Sequence, residues 1–258
     1  MTLRLKACII FSVLCLFVFW TSVASAQQDN SGNDDMINPT YRNIAGAHTA
    51  NGGCSYYGWL FLPHNFGQKA VMAEIKRKDS SSCAAVLKEG VPRYVKSVPE
   101  HADSAESKAS AKAYYTGQSN GNDPESAGYF HSWLLDPPGI TLNEVYDWLD
   151  WWWNGYSVVG TAYGGDYRSW FDVDGWYELT GCCYNFNIWW DGGINSFLAS
   201  TNDLFSVDSW PWGFNWAWYH PNLVVGTPQG NLWGYYGLTY GGDSSWLLHG
   251  LCALVQTK

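Results

Sequence analysis

The 258-residue chain carries 23 acidic and 14 basic side chains, a formal net charge of −9, and 17 tryptophans. So acidic a chain repels nucleic acid and anionic lipid, both of which are held mainly through Lys and Arg. The acidity is uneven: residues 113–258 hold 14 of the acidic groups against only Arg168 and Lys258, and 15 of the tryptophans. That half suits neutral or cationic partners, or a divalent ion.

In chain order, Arg4 and Lys6, the apolar run "ACIIFSVLCLFVFW" and the small-residue site "TSVASA" read residues 1–26 as a secretory signal peptide. The mature chain is therefore expected to be secreted and extracellular, or periplasmic where the source has an outer membrane. No later apolar run approaches a membrane span. Residues 27–51 read as a polar, flexible lead-in. Residues 52–258 read as one β-rich domain. Within it, 52–96 give N-terminal strands, and 97–128 a long polar loop. Residues 129–258 give a helix and a Trp-rich sheet. "CSYYGWLF", "AVMAEIKR" and "CAAVLKEG" read as strands, the last two joined by a "KDSSS" hairpin.

"DPPGITLNEVYDWLDWWWNG" predicts one amphipathic helix over about 142–153. Thr141 and Glu144 have capping-box spacing, Ile140 and Val145 staple spacing, and Gly155 supplies a stop. At helical period Leu142, Val145, Tyr146, Leu149, Trp152 and Trp153 share a face, and Trp151 falls opposite among acids. Beyond it the period becomes 2. "YNFNIWW" alternates Tyr184, Phe186, Ile188 and Trp190 against Asn185, Asn187 and Trp189, and "WPWGFNWAW" puts rings at Trp210, Trp212, Phe214, Trp216 and Trp218. The fold class expected is all-β, an antiparallel β-sandwich with that one helix. This helix and the late "GTPQGNLWGYYG" resemble a scattered group of uncharacterised secreted bacterial proteins sharing a "DP…I…N…V…W.WNG" helix and an aromatic β region. The resemblance implies secretion and a β-rich fold.

Five exposed rings on one strand would form a strip too apolar for most soluble monomers. The rings of "WPWGFNWAW" are thus expected mostly in the core. Ligand rings are sought at Trp151, Trp189 and Trp212, since flat rings stack on the apolar faces of sugars while carboxylates and amides take the hydroxyls. Paired acids 5–10 Å apart would make a glycan hydrolase, and Asp172, Asp174, Glu178, Asp191 and Asp208 are the candidates. Asp172, Asp174 and Glu178 around a glycine also sketch a Ca²⁺ turn without the full EF-hand pattern. No other cofactor is implied. His131 and His220 lack zinc-ligand spacing, and "GGDSSWLLHG", with Asp243, Ser244, Ser245 and His249, lacks a nucleophile-elbow pattern and reads as a turn into the last strand. After the leader five cysteines remain. Cys54 with Cys83, and Cys182 or Cys183 with Cys252, are the expected bridges, though spacing does not fix connectivity.

The leading expectation is a secreted, non-catalytic binding protein for neutral glycan or cell-envelope polysaccharide. The alternatives are an extracellular glycan hydrolase and a structural or interaction protein of the envelope or matrix.

Overall fold

The computed structural model describes residues 36, 38–64, 68–94, 114–117, 121–137, 139–169, 177–178, 197–209 and 213–258. Side chains at 94, 114–117, 166, 168–169, 177–178, 197–203 and 208–209 are not among them. The described elements are β1 (Thr40–Ala45), β2 (Ala47–His48), β3 (Cys54–Leu62), β4 (Lys69–Arg77), β5 (Ala84–Glu89), β6 (Arg93–Tyr94), β7 (Tyr114–Gly117), β8 (Glu125–Leu135), β9 (Thr141–Trp153), β10 (Val158–Ser169), β11 (Tyr177–Glu178), β12 (Phe197–Ser209), β13 (Gly213–Gly226), β14 (Leu232–Gly242) and β15 (His249–Gln256), with one 3-10 turn at Ser245–Leu247. They form two antiparallel sheets. The first runs β1-β5-β4-β15-β8-β9-β10-β7, with β6 on β4, and the second β11-β12-β13-β14-β3-β2. Among the described residues no helix is long and apolar enough to cross a membrane.

The expected strands at β3, β4 and β5 are present. The "KDSSS" hairpin is fixed by Asp79, whose carboxylate accepts bonds from the amides and hydroxyls of Ser81 and Ser82. β1 and β2 lie in the stretch read as a lead-in, and β7 and the start of β8 in the stretch read as a loop.

The expected helix is a strand. β9 pairs along its length with β8 on one side and β10 on the other. Tyr, Trp and Val fit a pleated surface, and their second periodicity, of 2, prevails once two partner strands satisfy the backbone. Val145, Leu149 and Trp151 point into the core with Asn143 and Asp147, while Glu144, Tyr146, Trp148, Asp150 and Trp152 take the other face. The polar members of the inward row disguise it in the sequence. "WNG" is a turn into β10, not a helix stop. Asn154 Oδ1 accepts the amides of Tyr156 and Ser157, and Gly155 takes φ +87°, open to glycine at no steric cost.

One hydrophobic core draws side chains from both sheets, among them Leu60, Phe130, Leu149, Trp151, Phe205 and Tyr219. Trp151 is fully buried. Its indole N–H donates to the Thr227 carbonyl, and its ring rests on Gly226, where an added Cβ would lie 2.6 Å away. A polar cluster crosses the core. Asn222 of β13 donates to Asp147 of β9 at 2.7 Å and accepts from Ser132 of β8, and Tyr219 donates to Asn143 Oδ1 at 2.6 Å. Buried polar groups require such partners, since an unmet one costs about 1–3 kcal/mol.

Cys54 and Cys83 form a buried disulfide between β3 and the start of β5, as expected. Cys252 does not form the second bridge. It is a free thiol, fully buried within β15, and burial drives its ionisation well above the usual thiol range. Cys182 and Cys183 lie outside the described residues.

Candidate aromatic binding surface

The outward rows of the second sheet carry the rings. On β3, Tyr57, Trp59 and Phe61 alternate with the buried Tyr56, Leu60 and Leu62. β14 lies alongside, setting Trp233 opposite Phe61, Tyr235 opposite Trp59, and Gly237 opposite Tyr57. On β13 the outward row is Phe214, Trp216, Trp218 and His220, while Asn215, Ala217 and Tyr219 face the core.

These rings touch in an unbroken path. Trp218 stacks on His220 at 3.6 Å between centroids, and His220 meets the edge of Tyr57 at 6.0 Å. Tyr57 stacks with Tyr235 at 6.3 Å, and Tyr235 lies 4.8 Å from Trp59. Trp59 meets Trp233 at 6.2 Å, and Trp233 meets Phe61 at 4.3 Å. Cross-strand pairing of rings is itself favourable, but that does not bury them. Trp59 stays 52% exposed, Tyr57 48%, Trp218 41% and Phe61 38%.

Two local devices bring three strands' rings together. β13 carries an irregularity between Tyr219 and Asn222, so both of those residues face inward while His220 stays out. Bulges commonly re-aim a side chain in this way. On the intervening β14, Gly237 has no side chain, and a Cβ there would sit 2.3 Å from the His220 carbonyl oxygen. The gap lets His220 and Tyr57 meet over the strand between them. Further along β13, the Trp216 ring lies over Gly53 and Gly241, with 2.6 and 2.8 Å to their would-be Cβ atoms.

Polar groups at this face are neutral. Burial holds the His220 imidazole below its ordinary value and pushes the Tyr235 phenol upward. His220 Nε2 bonds Thr239 Oγ1 at 3.1 Å, and Thr239 bonds Ser55 Oγ at 2.7 Å. The seven ring residues themselves, from Trp218 to Phe61, include no carboxylate.

The outer row of the first sheet differs. Tyr129, His131, Trp133, Tyr146, Trp148 and Trp152 are half-buried there, interspersed with Glu144 and Asp150. His131 stacks on Trp133 at 4.3 Å and bonds Glu144 at 2.9 Å, and His249 bonds Glu74 at 3.4 Å. The bond from His249 is the main reason the Glu74 carboxyl is held below its ordinary value. Rings and charges in this face are engaged with one another.

The expected assignment of faces is therefore reversed. Trp151, sought as a ligand ring, is sealed in the core, and Phe214, Trp216 and Trp218, expected in the core, line the surface because the small residues between them take the inward positions. Trp189, Trp210, Trp212, Asp172, Asp174 and Asp191 lie outside the described residues. Glu178 and Asp208 are placed by backbone alone, opposite Phe205 and Phe214 respectively. Asp243 accepts the Phe214 amide and Ser245 donates to the Gly242 carbonyl, so "GGDSS" is the expected turn. Tyr57, Trp59, Phe61, Trp233, Tyr235 and His220 were missed, although β3 and β14 both carry a ring at alternate positions beside glycines.

The side chains of His48, Cys54 and Cys83 bring three potential metal-binding atoms within 4.8 Å of one another. The two sulfurs are joined as a disulfide, and metal binding needs thiolates. Compared with known proteins, the chain matches no family model, no curated protein and no solved structure.

Proposed function

We propose that this is a secreted, non-catalytic protein that binds neutral glycan or cell-envelope polysaccharide through the ring path on the second sheet. The two sheets close as a sandwich whose outer face presents the path. The carrying observation is the connected run from Trp218 to Phe61, four of whose seven rings are exposed and the other three half-buried, with no carboxylate or cationic residue among them. A monomer keeps so large an apolar patch in water at a solubility cost, and such patches mark binding faces. Flat rings spread over three strands match an extended polymer lying on the sheet better than a small molecule, which needs a concave pocket. Several weak stacking contacts on one chain also reinforce one another by effective concentration. The disulfide fits an oxidising destination.

The test is to incubate the purified protein with insoluble cellulose, chitin and peptidoglycan, with and without EDTA. Bound protein and released reducing ends are measured together. Retention without release is expected. Release would move the assignment to a hydrolase using acids such as Asp172 or Glu178. Absence of retention, with concentration-dependent self-association in sedimentation, would give the rings to a protein interface.

A further inference from the structure

The ring path contains one imidazole, His220, and its surroundings fix which of its nitrogens is protonated. Thr239 and Ser55 are buried, 1% and 6% exposed, on neighbouring strands in register. Among the described residues, Ser55 Oγ has Thr239 as its one hydrogen-bond partner, and Thr239 Oγ1 has Ser55 and His220 Nε2. Three patterns of donation are possible along this chain, since a hydroxyl oxygen can accept twice. If Nε2–H and Ser55 both donate to Thr239, the Thr239 proton has no acceptor among the described residues. If Nε2–H donates to Thr239 and Thr239 to Ser55, the Ser55 proton is left inside the protein without an acceptor. If Ser55 donates to Thr239 and Thr239 to Nε2, every hydroxyl proton is used. Buried hydroxyls favour the satisfied arrangement. Nε2 is then an acceptor, and the neutral imidazole carries its proton on Nδ1. Among the described residues that atom has no hydrogen-bond partner, and it is not sealed from solvent.

We propose that His220 is a pre-oriented hydrogen-bond donor of the ring surface: the Ser55–Thr239–His220 chain holds the Nδ1–H tautomer, and that N–H takes an acceptor oxygen of the glycan stacked on Trp218 and Tyr57. The proposal rests on the glycan reading above and deepens it. Stacking is tolerant of which sugar is bound. Beside the phenols of Tyr57 and Tyr235 and the indole N–H groups of the tryptophans, a donor whose tautomer is fixed by a buried chain supplies registry, since polar groups that are few and fixed set orientation in apolar sites. It also selects ligands with an accessible acceptor, either a hydroxyl or ring oxygen or an amide carbonyl.

Long-range ¹H–¹⁵N NMR of the labelled full chain at neutral pH reads the tautomer without any ligand. Nδ1–H is expected, and Thr239→Val, which removes the donor to Nε2, is expected to populate Nε2–H. Nε2–H in the unsubstituted protein overturns the proposal. Retention is then measured on chitin, which offers amide carbonyls, and on cellulose, which does not. His220→Phe keeps the ring and removes the N–H, so binding should weaken about three- to tenfold, the loss of one hydrogen bond. Weakening on chitin alone assigns the amide carbonyl, and weakening on both assigns hydroxyl or ring oxygens. Unchanged retention of His220→Phe on both, with Trp59→Ala released, overturns the donor role and leaves the glycan reading standing. No retention of the unsubstituted protein on chitin, cellulose or peptidoglycan overturns the glycan reading, and the donor role with it.

Discussion

β9 and β13 are both Trp-rich strands of period two, and they place their rings in opposite ways. On β9 the row with Trp151 faces inward, and the ring fills the space over Gly226. On β13 the ring-bearing row faces outward, and Ala217 and Asn215 take the core positions. Periodicity shows that a strand has two faces, not which one is wet. The choice falls to the partners: β9 lies between β8 and β10 over a core that needs a large ring, whereas Tyr219 and Val224 fill the space beneath β13.

Breaking the inward side of this comparison should have the largest effect. Trp151→Ala removes a fully buried ring, so stability should fall by about 3–5 kcal/mol in chemical denaturation. A loss below about 1 kcal/mol would mean the ring is not core. Next is the polar cluster between the same strands. Asn222→Leu strips the Asp147 carboxyl and the Ser132 hydroxyl of a partner, and a loss of roughly 1.5–3 kcal/mol is expected. Equal stability would show that water or another side chain replaces the amide.

The outward side should behave in the opposite sense. Trp59→Ala and Trp218→Ala should each leave stability within about 0.5 kcal/mol. Retention on a bound polysaccharide should drop roughly tenfold or more, and the double variant should fall further. Destabilisation without loss of retention would make these rings structural. The smallest effect concerns charge on the first sheet. Burial raises the Asp150 carboxyl above its ordinary value, against the nearby Lys258, which lowers it. The folded state thus holds this proton more tightly than the unfolded chain, and stability declines as pH rises through the folded value. Asp150→Asn should raise the melting temperature slightly at about pH 7 and leave it unchanged at about pH 3, where both states are protonated. A gain at both values would assign the effect to packing.

Much of the β architecture is legible in the sequence where local chemistry decides it. β4 and β5 are flanked by turn residues, and their hairpin carries its own Asp79 cap. Cys54 opens β3 and Cys83 directly precedes β5, elements of different sheets, so the disulfide joins the two sheets. β9 is not legible as a strand because its inward row includes Asn143 and Asp147, which make sense only beside Tyr219 and Asn222, 75 or more residues away. The same blurring lends "TLNEVYDWLDWWW" a convincing helical stripe. The ring surface is illegible for a related reason. In "CSYYGWLF" aromatic residues occupy both alternating rows, and only the pairing with β14 assigns Tyr57 and Trp59 to the outside and Tyr56 to the core.

The most direct test of the account is hydroxyl-radical footprinting of the intact protein, read by mass spectrometry at each tryptophan, with and without the polysaccharide that retains it. Trp59 and Trp218 should oxidise readily in the free protein and be protected when bound, while Trp151 stays unmodified in both. Unprotected Trp59 and Trp218 on the bound protein would contradict the claim that these rings are the binding surface.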